Sequence, residues 1–321
     1  MDIAMVSKAG MQEYDVMCIG QANVDILVRP VNKVDFDDDA VHVDETRMVN
    51  GGDALNVAIN MSRLNNRVTF AGSVGEDMFG RYLKERMEGL NIDTTSLRVS
   101  RIASTATAVC LVSDSGERKF LYCGGANEQF TADDVDMSTL FNSGIVFIGG
   151  GYELPRFDGD GAARILQSAQ KRGKITAMDV TWCTNGQWEK IVPCLQYLDF
   201  FMPSQNEARW ITGRDEPEAM ADELLRMGVK NVIIKQGSKG SLLKNAKTCF
   251  TCNPVQVAVQ DTTGAGDSFN SGFLTALKHK WDLKKAVKFG SATSAFCIQQ
   301  MGACPENISF DKVYAVAFNA V

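Results

Sequence analysis

Strand-like and helix-like segments alternate along residues 144–235, and this alternation is the strongest constraint on the fold. The strand-like segments are 144–149, 174–180, 198–202 and 231–235, and the helical segments are 159–172, 187–196, 206–212 and 216–228. Strands and helices that alternate at this interval form crossover units, which build a mostly parallel sheet. The pattern therefore predicts an α/β fold with a doubly wound sheet flanked by helices.

Residues 14–20 predict an earlier strand of the same sheet, because they form a short apolar run that ends at Gly20. Asn23 and Asp25 follow this strand. Ligands bind at the carboxyl edge of an open α/β sheet, so both residues are candidate ligand contacts. From the residues alone, Asp25 fits a turn or a helix cap as well. No internal repeat or low-complexity linker interrupts the chain, and we predict one domain over residues 1–321.

The composition excludes several classes of protein. The chain has 321 residues with 45% hydrophobic and 22% charged residues, which is typical of a globular protein. Its 33 basic and 39 acidic residues give a net charge of −6 without a long basic run, so nucleic acid is not an expected partner. Residues 1–13 lack a signal-peptide pattern and no apolar stretch approaches about 18 residues, so we expect a cytoplasmic protein without a membrane partner. The nine scattered cysteines indicate reduced thiols.

The segment from Asp261 to Phe269 reads DTTGAGDSF and precedes an apolar helical run. Gly264, Ala265 and Gly266 would lie at a helix N-terminus, where free backbone N–H groups and the helix dipole bind anions. Asp267 would then stand beside the anion. This arrangement suits phosphoryl transfer, with Asp267 as the base for an attacking hydroxyl and the N–H groups stabilising the transferring phosphoryl group. An ordinary structural helix start is the alternative.

The DTTGAGD segment resembles the second signature of the ribokinase (PfkB) family of carbohydrate kinases, D-T-x-G-A-G-D. Residues 51–58 (GGDALNVA) resemble the family's first signature, and residues 72–80 resemble its G-x-V-G-x-D-x-F-G segment. The resemblance extends over nearly the whole chain. It implies a ribokinase-like fold with a small β lid, whose strands come from about 26–49 and 97–124. A hairpin pattern around Ser115 and Gly116 supports the second lid segment.

The resemblance also implies the substrate-binding residues, which are Asn23, Asp25, Gly51, Gly52, Asp53 and Asn56. Family members that act on sugar phosphates commonly have lysine at the position of Asp53. An acid there would repel a phosphate, so a non-phosphorylated sugar, sugar acid or polyol is favoured. Arg101, Arg118 and Lys119 in the lid are candidates to meet a substrate carboxylate, although solvated hairpin charges are the more common case.

Two further segments resemble the family's nucleotide-binding loops. Residues 235–240 (KQGSKG) match K-x-G-x-x-G, which implies ATP contacts at Lys235, Gly237, Ser238 and Gly240, together with Gly266. Residues 203–207 match the segment whose glutamate, here Glu207, organises Mg²⁺ through water. Ser204 stands where the family usually has asparagine, which makes its nucleotide contact less secure. In several members a monovalent cation, K⁺, binds at the residues that correspond to Asp261, Thr263 and Gly302.

The resemblance therefore implies an ATP-dependent sugar kinase that uses Mg²⁺ and has a small-molecule sugar or sugar-acid substrate. The motifs do not identify the sugar, and 2-keto-3-deoxygluconate, a hexose or a pentose would all fit. One alternative is a nucleoside kinase of the same fold, and another is a non-catalytic sugar-binding relative. We also expect a homodimer through the lid, because open strand edges invite pairing with a second chain.

Overall fold

The computed structural model of the chain describes residues 13–318 except 36, 38 and 116. The ends of the predicted domain, residues 1–12 and 319–321, and Gly116 of the predicted hairpin lie outside the described residues. The β-strands are β1 Tyr14–Gly20, β2 Asn23–Arg29, β3 Glu45–Gly51, β4 Val68–Gly75, β5 Leu97–Ser100, β6 Ala106–Val112, β7 Arg118–Cys123, β8 Ser143–Gly151, β9 Ile175–Val180, β10 Phe200–Phe201, β11 Asn231–Lys235, β12 Ser241–Asn245 and β13 Cys249–Cys252. The α-helices are α1 Asp53–Arg63, α2 Met78–Gly89, α3 Met137–Phe141, α4 Asp160–Lys171, α5 Val192–Leu195, α6 Gln205–Thr212, α7 Pro217–Arg226, α8 Ala265–Lys278, α9 Leu283–Cys297 and α10 Phe310–Phe318.

Nine strands form one sheet in the order β13-β12-β11-β10-β9-β8-β1-β4-β5. The strands from β11 to β5 are parallel, and β12 and β13 add an antiparallel edge. This confirms the predicted mostly parallel α/β sheet. The chain order reverses around β1, which is flanked by β8 and β4. Ligands bind at such a switch point, and β1 delivers Asn23 and Asp25 there.

Apolar residues on both faces of the sheet explain its position in the core. Along β1, Val16 and Cys18 join one buried cluster, whereas Met17 and Ile19 join the other. This alternation follows from the two-residue repeat of a strand, and a parallel sheet covered on both faces needs it. Helices α1, α8 and α9 cover the first face, and α4 and α7 cover the second.

Two predicted elements are shorter than expected. The strand predicted at 198–202 is reduced to the two residues of β10. The helix predicted at 187–196 divides into a 3₁₀ turn, Trp188–Ile191, and the short α5. Pro193 lies in the first turn of α5, where its missing N–H is tolerated, and this position forces the helix to start again there. Asp77 is the N-cap of α2, and its side chain accepts from Gly80 N at 2.8 Å.

A second sheet contains four strands in the order β3-β2-β6-β7, from the two chain segments predicted to form the lid. Strand β2 is parallel to β6, and the other pairs are antiparallel. Residues 97–100 do not belong to it, because β5 pairs with β4 in the large sheet. The outer strands β3 and β7 have no further neighbour among the described strands. Such open edges are what the homodimer would use, and the homodimer stays a prediction.

None of the helices that the structure describes has both the length and the hydropathy that a bilayer span requires.

Candidate active site

Helix α8 begins at the predicted anion-binding loop. Its N-cap, Gly264, has φ of 70°, and a Cβ at this position would lie 2.3 Å from the Cβ of Ala303. Only glycine fits such a conformation and such a close approach. The N–H of Ala265 donates weakly to the Thr262 carbonyl at 3.3 Å, whereas those of Gly266 and Asp267 have no backbone partner among the described residues. The free amides face the position that a bound anion would take.

Asp267 is buried in the first turn of α8 and is held by a chain of hydrogen bonds. Asn56 of α1 donates from Nδ2 to Asp267 Oδ2 at 2.9 Å. Asn50 of β3 donates to Asn56 Oδ1 at 2.9 Å and accepts from Arg86 Nε at 2.6 Å. Asn50 was not identified from the sequence, although it orients the amide of Asn56 toward the acid.

The pKa of Asp267 is raised to about 6. Burial is the main cause, and the charge of Asp179 adds to it. The hydrogen bond from Asn56 and the positive charge of Lys235 act in the opposite direction. A carboxyl group with this pKa is ionised at neutral pH and is a better proton acceptor than an ordinary surface carboxylate.

Asn23, Asp25, Gly51 and Gly52 lie together where β2 meets β3, as the resemblance implied. Asn23 Nδ2 donates to Asp25 Oδ1 at 2.5 Å. A Cβ at Gly51 would lie 2.2 Å from Asp25 Oδ1, and one at Gly52 would lie 2.5 Å from the Gln21 carbonyl oxygen. Gly51 therefore makes room for the Asp25 carboxylate, and Gly52 makes room for the backbone of Gln21. Burial raises the pKa of Asp25 to about 7, against the hydrogen bond from Asn23 and with the help of the Asp267 charge.

A cavity of about 470 Å³ lies in front of the α8 N-terminus. The predicted residues that line it are Asp53, Ser204, Glu207, Lys235, Gly237, Gly240, Gly264, Ala265, Gly266 and Asp267. Ser238 lies outside this lining, in the 3₁₀ turn after β11. Asp53 faces the same cavity, and the charges of Asp267 and Asp179 help burial to raise its pKa well above the usual range.

Lys235 forms an ion pair that the sequence analysis missed. At the end of β11, its ammonium group contacts Asp179 at the end of β9, and Asn270 donates to the same carboxylate at 2.5 Å. A Cβ at Gly266 would lie 3.1 Å from Lys235 Nζ, so the ammonium group lies against the anion loop. Burial lowers the pKa of Lys235, but the carboxylates of Asp179 and Glu207 outweigh this and raise it. The position of Asp179 near the carboxyl end of a buried strand was the only signal in the sequence.

Ser204 and Glu207 form a capping box at the start of α6. Ser204 N donates to Glu207 Oε2 at 2.7 Å, and Glu207 N donates to Ser204 Oγ at 3.3 Å. Burial raises the pKa of Glu207 to about 7, and the nearby Asp179 charge adds to the effect. Glu207 therefore caps a helix and also faces the cavity. The helix-capping role of Glu207 and its position at the cavity wall are therefore compatible.

The two side chains predicted to bind a monovalent cation contact an arginine instead. The Arg118 guanidinium of β7 donates to Asp261 Oδ1 and to Thr263 Oγ1. Asp261 Oδ2 accepts from the N–H of Gly302 at 3.0 Å. Because the guanidinium occupies Asp261 Oδ1 and Thr263 Oγ1 and brings its own positive charge there, this geometry does not fit the predicted K⁺ site.

Several buried carboxyl groups of the site should make stability depend on pH. The pKa values of Asp25 and Glu207 are raised to about 7, and that of Asp267 to about 6, so the folded chain binds protons that the unfolded chain releases. This stabilisation is complete below the ordinary carboxyl range and is lost as the pH rises through about 6 to 7. We therefore expect a higher Tm near pH 6 than near pH 8.

The variant Asp25→Asn should raise Tm by a few degrees near pH 8, since the neutral amide avoids the cost of a buried charge. The gain should be smaller near pH 6 and should vanish only near the ordinary carboxyl range, where Asp25 is protonated in the folded and the unfolded chain alike. Thermal melts across this range test both statements. A wild-type Tm that increases from pH 6 to pH 8 would contradict them. Hydrogen bonds lower the pKa values of Asp77 and Asp261 in spite of burial, so these two residues change the stability with pH only at lower pH.

Comparison with known proteins places this geometry in a family. The chain matches the pfkB family carbohydrate kinase model over residues 14–309. It is 27% identical over 315 residues to an ATP-dependent 6-phosphofructokinase of Thermoanaerobacterium thermosaccharolyticum, covering 94% of this chain and 93% of that protein. It is also 27% identical over 315 residues to a 5-dehydro-2-deoxygluconokinase of Clostridium perfringens, covering 92% and 90%.

The fold has a solved counterpart in the structure of Arabidopsis thaliana ribokinase complexed with ribose and ATP. The two superpose with a TM-score of 0.83 and 25% identity, covering 95% of this chain and 99% of the ribokinase. The relatives differ in their named substrates, so the comparison leaves the sugar open. The match over residues 14–309 is decisive, and the chain belongs to the pfkB family of carbohydrate kinases.

Proposed function

We propose that this protein transfers the γ-phosphoryl group of ATP to a hydroxyl group of a neutral, non-phosphorylated sugar or polyol. The observation that carries the proposal is the position of Asp267. It is a buried acid with a raised pKa, and it directly follows the free amides of an anion-binding loop at the wall of a cavity of about 470 Å³. A base and an anion site in contact are the two parts that phosphoryl transfer to an alcohol needs.

In the proposed reaction, Asp267 accepts the proton of the attacking hydroxyl group. The sugar oxygen forms a bond to the γ-phosphorus atom, and the bond from that phosphorus to the bridging β–γ oxygen breaks and releases ADP. The amides of Gly266 and Asp267 and the ammonium group of Lys235 stabilise negative charge on the transferring group. Asn56 keeps the Asp267 carboxylate in one orientation, because its amide donates to one of the two oxygens.

The cavity also fits a nucleotide with a divalent cation. Mg²⁺ prefers one or two carboxylates together with water and phosphate oxygens, and Asp179 and Glu207 are carboxylates at this cavity wall. Among the described residues, no group of three or more metal-binding side chains exists, which agrees with an ion carried largely by the phosphates. When bound, Mg²⁺ would neutralise phosphate charge. Ser241 also lines the cavity, and its buried hydroxyl has no hydrogen-bond partner within the described part of the chain.

The charges around the site favour a neutral substrate over a sugar acid. Asp25, Asp53 and Asp267 are all acids, and the charge of Asp267 helps burial to raise the pKa of the other two. The lid cations considered for a substrate carboxylate are directed elsewhere. Arg118 contacts Asp261, and Arg101 is 83% exposed beside Glu76. Lys119 follows Arg118 in a strand and so points to the opposite face of the lid.

One observation favours a nucleoside kinase as a second candidate. In the lid register, Asp25 pairs with Ala108 and Ala108 with Tyr122, while the next row contains Phe120. Phe120 is 52% exposed and lies on the same face as Asp25. An exposed aromatic ring beside the acceptor site could stack on a nucleobase as well as on a sugar ring.

ADP release with Mg·ATP tests the proposal against a panel of neutral pentoses, hexoses and polyols, sugar acids, sugar phosphates and nucleosides. We expect a neutral sugar to be the best substrate, with kcat/KM at least roughly tenfold above the corresponding sugar acid or phosphate, which is a difference of about 1.4 kcal/mol. A sugar acid as the best substrate would overturn the charge argument. Turnover of nucleosides alone would support the second candidate. Tight sugar binding without ADP release would indicate a non-catalytic relative.

A further inference from the structure

Arg118 connects the lid to the anion-binding loop. It lies at the start of β7, and its guanidinium group donates to Asp261 and Thr263, the residues that lead into Gly264. The side chain of Asp261 is 3% exposed and that of Arg118 is 23% exposed. This enclosed contact between residues far apart in the sequence joins the lid strand β7 to the segment that leads into the anion loop.

Asp261 accepts hydrogen bonds at both of its carboxylate oxygens. Besides Arg118, it accepts from Thr263 N at 2.7 Å and from Gly302 N at 3.0 Å. Its negative charge lies three residues before Gly264, next to the loop that binds an anion. Without a compensating cation, that buried charge would repel a phosphate at the helix N-terminus.

We infer that Arg118 is a positioning residue that neutralises Asp261 in place of a monovalent cation and so couples the lid to the anion loop. The inference rests on the proposed function, because the anion in question is the phosphoryl group of ATP. One guanidinium group supplies the positive charge and two directed hydrogen bonds, and K⁺ has no free side-chain oxygen left at Asp261 or Thr263. A movement of β7 away from the loop would expose the Asp261 charge, so anion affinity and lid position are linked.

The wild-type protein should therefore be indifferent to K⁺. Its Tm and its activity should be the same in potassium chloride and in tetramethylammonium chloride at matched ionic strength. In Arg118→Ala, we expect KM for ATP to rise by roughly tenfold or more in tetramethylammonium chloride, a change of about 1.4 kcal/mol. Potassium or guanidinium ions should restore part of the Tm and of the affinity, because either ion can enter the space left beside Asp261.

Arg67→Ala is the matched control, since Arg67 pairs with the nearly buried Asp15 at 3.1 Å and neither residue lines the cavity. It should lose some stability without a response to K⁺ or a change in KM. If Arg118→Ala behaves like Arg67→Ala, or if the wild type requires K⁺, the inference is overturned. Should Arg118→Ala fail to fold, Arg118→Lys retains the charge and loses the two-armed contact. Because the lysine still neutralises Asp261, KM for ATP in tetramethylammonium chloride should stay within a few fold of the wild-type value, and a rise of roughly tenfold would overturn the inference.

The same measurements separate this inference from the proposed function. If no sugar or nucleoside gives ADP with the wild type, the kinase proposal fails. The thermal shift produced by Mg·ATP still reports anion binding in that case. A shift that depends on K⁺ in Arg118→Ala and not in the wild type would support the role of Arg118 even then, and equal shifts would overturn it.

Discussion

Replacing Asp267 by asparagine is expected to lower kcat by ~10²- to 10⁴-fold, which is the usual contribution of a positioned general base. The amide has nearly the same shape and can still accept the hydrogen bond that Asn56 donates to Asp267 at 2.9 Å. It cannot take a proton from the sugar hydroxyl at neutral pH. We expect KM for ATP to change little, because the backbone amides of the loop are untouched. ADP release under saturating sugar and ATP measures the effect.

Asp158→Asn provides a matched control for this prediction. Asp158 is also a buried acid whose pKa burial raises to about 7, but it lies outside the cavity and accepts from the N–H of Leu154 at 2.8 Å. Removing its charge should leave kcat within a few fold of the wild type. An Asp267→Asn enzyme with full kcat would exclude Asp267 as the base, whatever the control shows.

The second large effect is expected for Gly264→Ala. The φ of 70° at this position costs a non-glycine residue about 1 to 2 kcal/mol, and the new Cβ would lie 2.3 Å from the Cβ of Ala303. Overpacking of this kind adds about 1 to 3 kcal/mol. Because the loop must move to relieve the contact, its amides leave the phosphoryl position. A misplacement of about 1 Å can lower activity by roughly 10²-fold.

Gly173→Ala separates the two causes. Gly173 has φ of 67°, almost the same as Gly264, and its missing Cβ would meet nothing within 4 Å. The Gly173→Ala variant should therefore lose only the stability that the positive φ costs a non-glycine residue, and its kcat should be unchanged. Denaturant unfolding and ADP release on both variants test this. Equal losses of stability in the two variants would show that the contact with Ala303 is relieved at no cost.

The local signals in the sequence predicted most of the fold. The alternation after residue 144 identified strands β8, β9 and β11 and helices α4, α6 and α7, since each has its own hydrophobic period. The prediction was less accurate at β10 and at residues 97–100. A strand of two residues carries almost no periodic signal. The sheet to which β5 belongs depends on its partner β4 and not on its own residues.

The sequence by itself determined the family, the mostly parallel sheet and the glycine-rich start of α8, because these depend on local spacing and on residue types that few structures tolerate. Tertiary structure decided which charges meet. The pairing of Lys235 with Asp179, of Asn50 with Asn56 and Arg86, and of Arg118 with Asp261 joins residues from separate elements. No local pattern predicts such pairs, since they depend on how the lid and the strand ends meet, and burial then makes each charge depend on its partner.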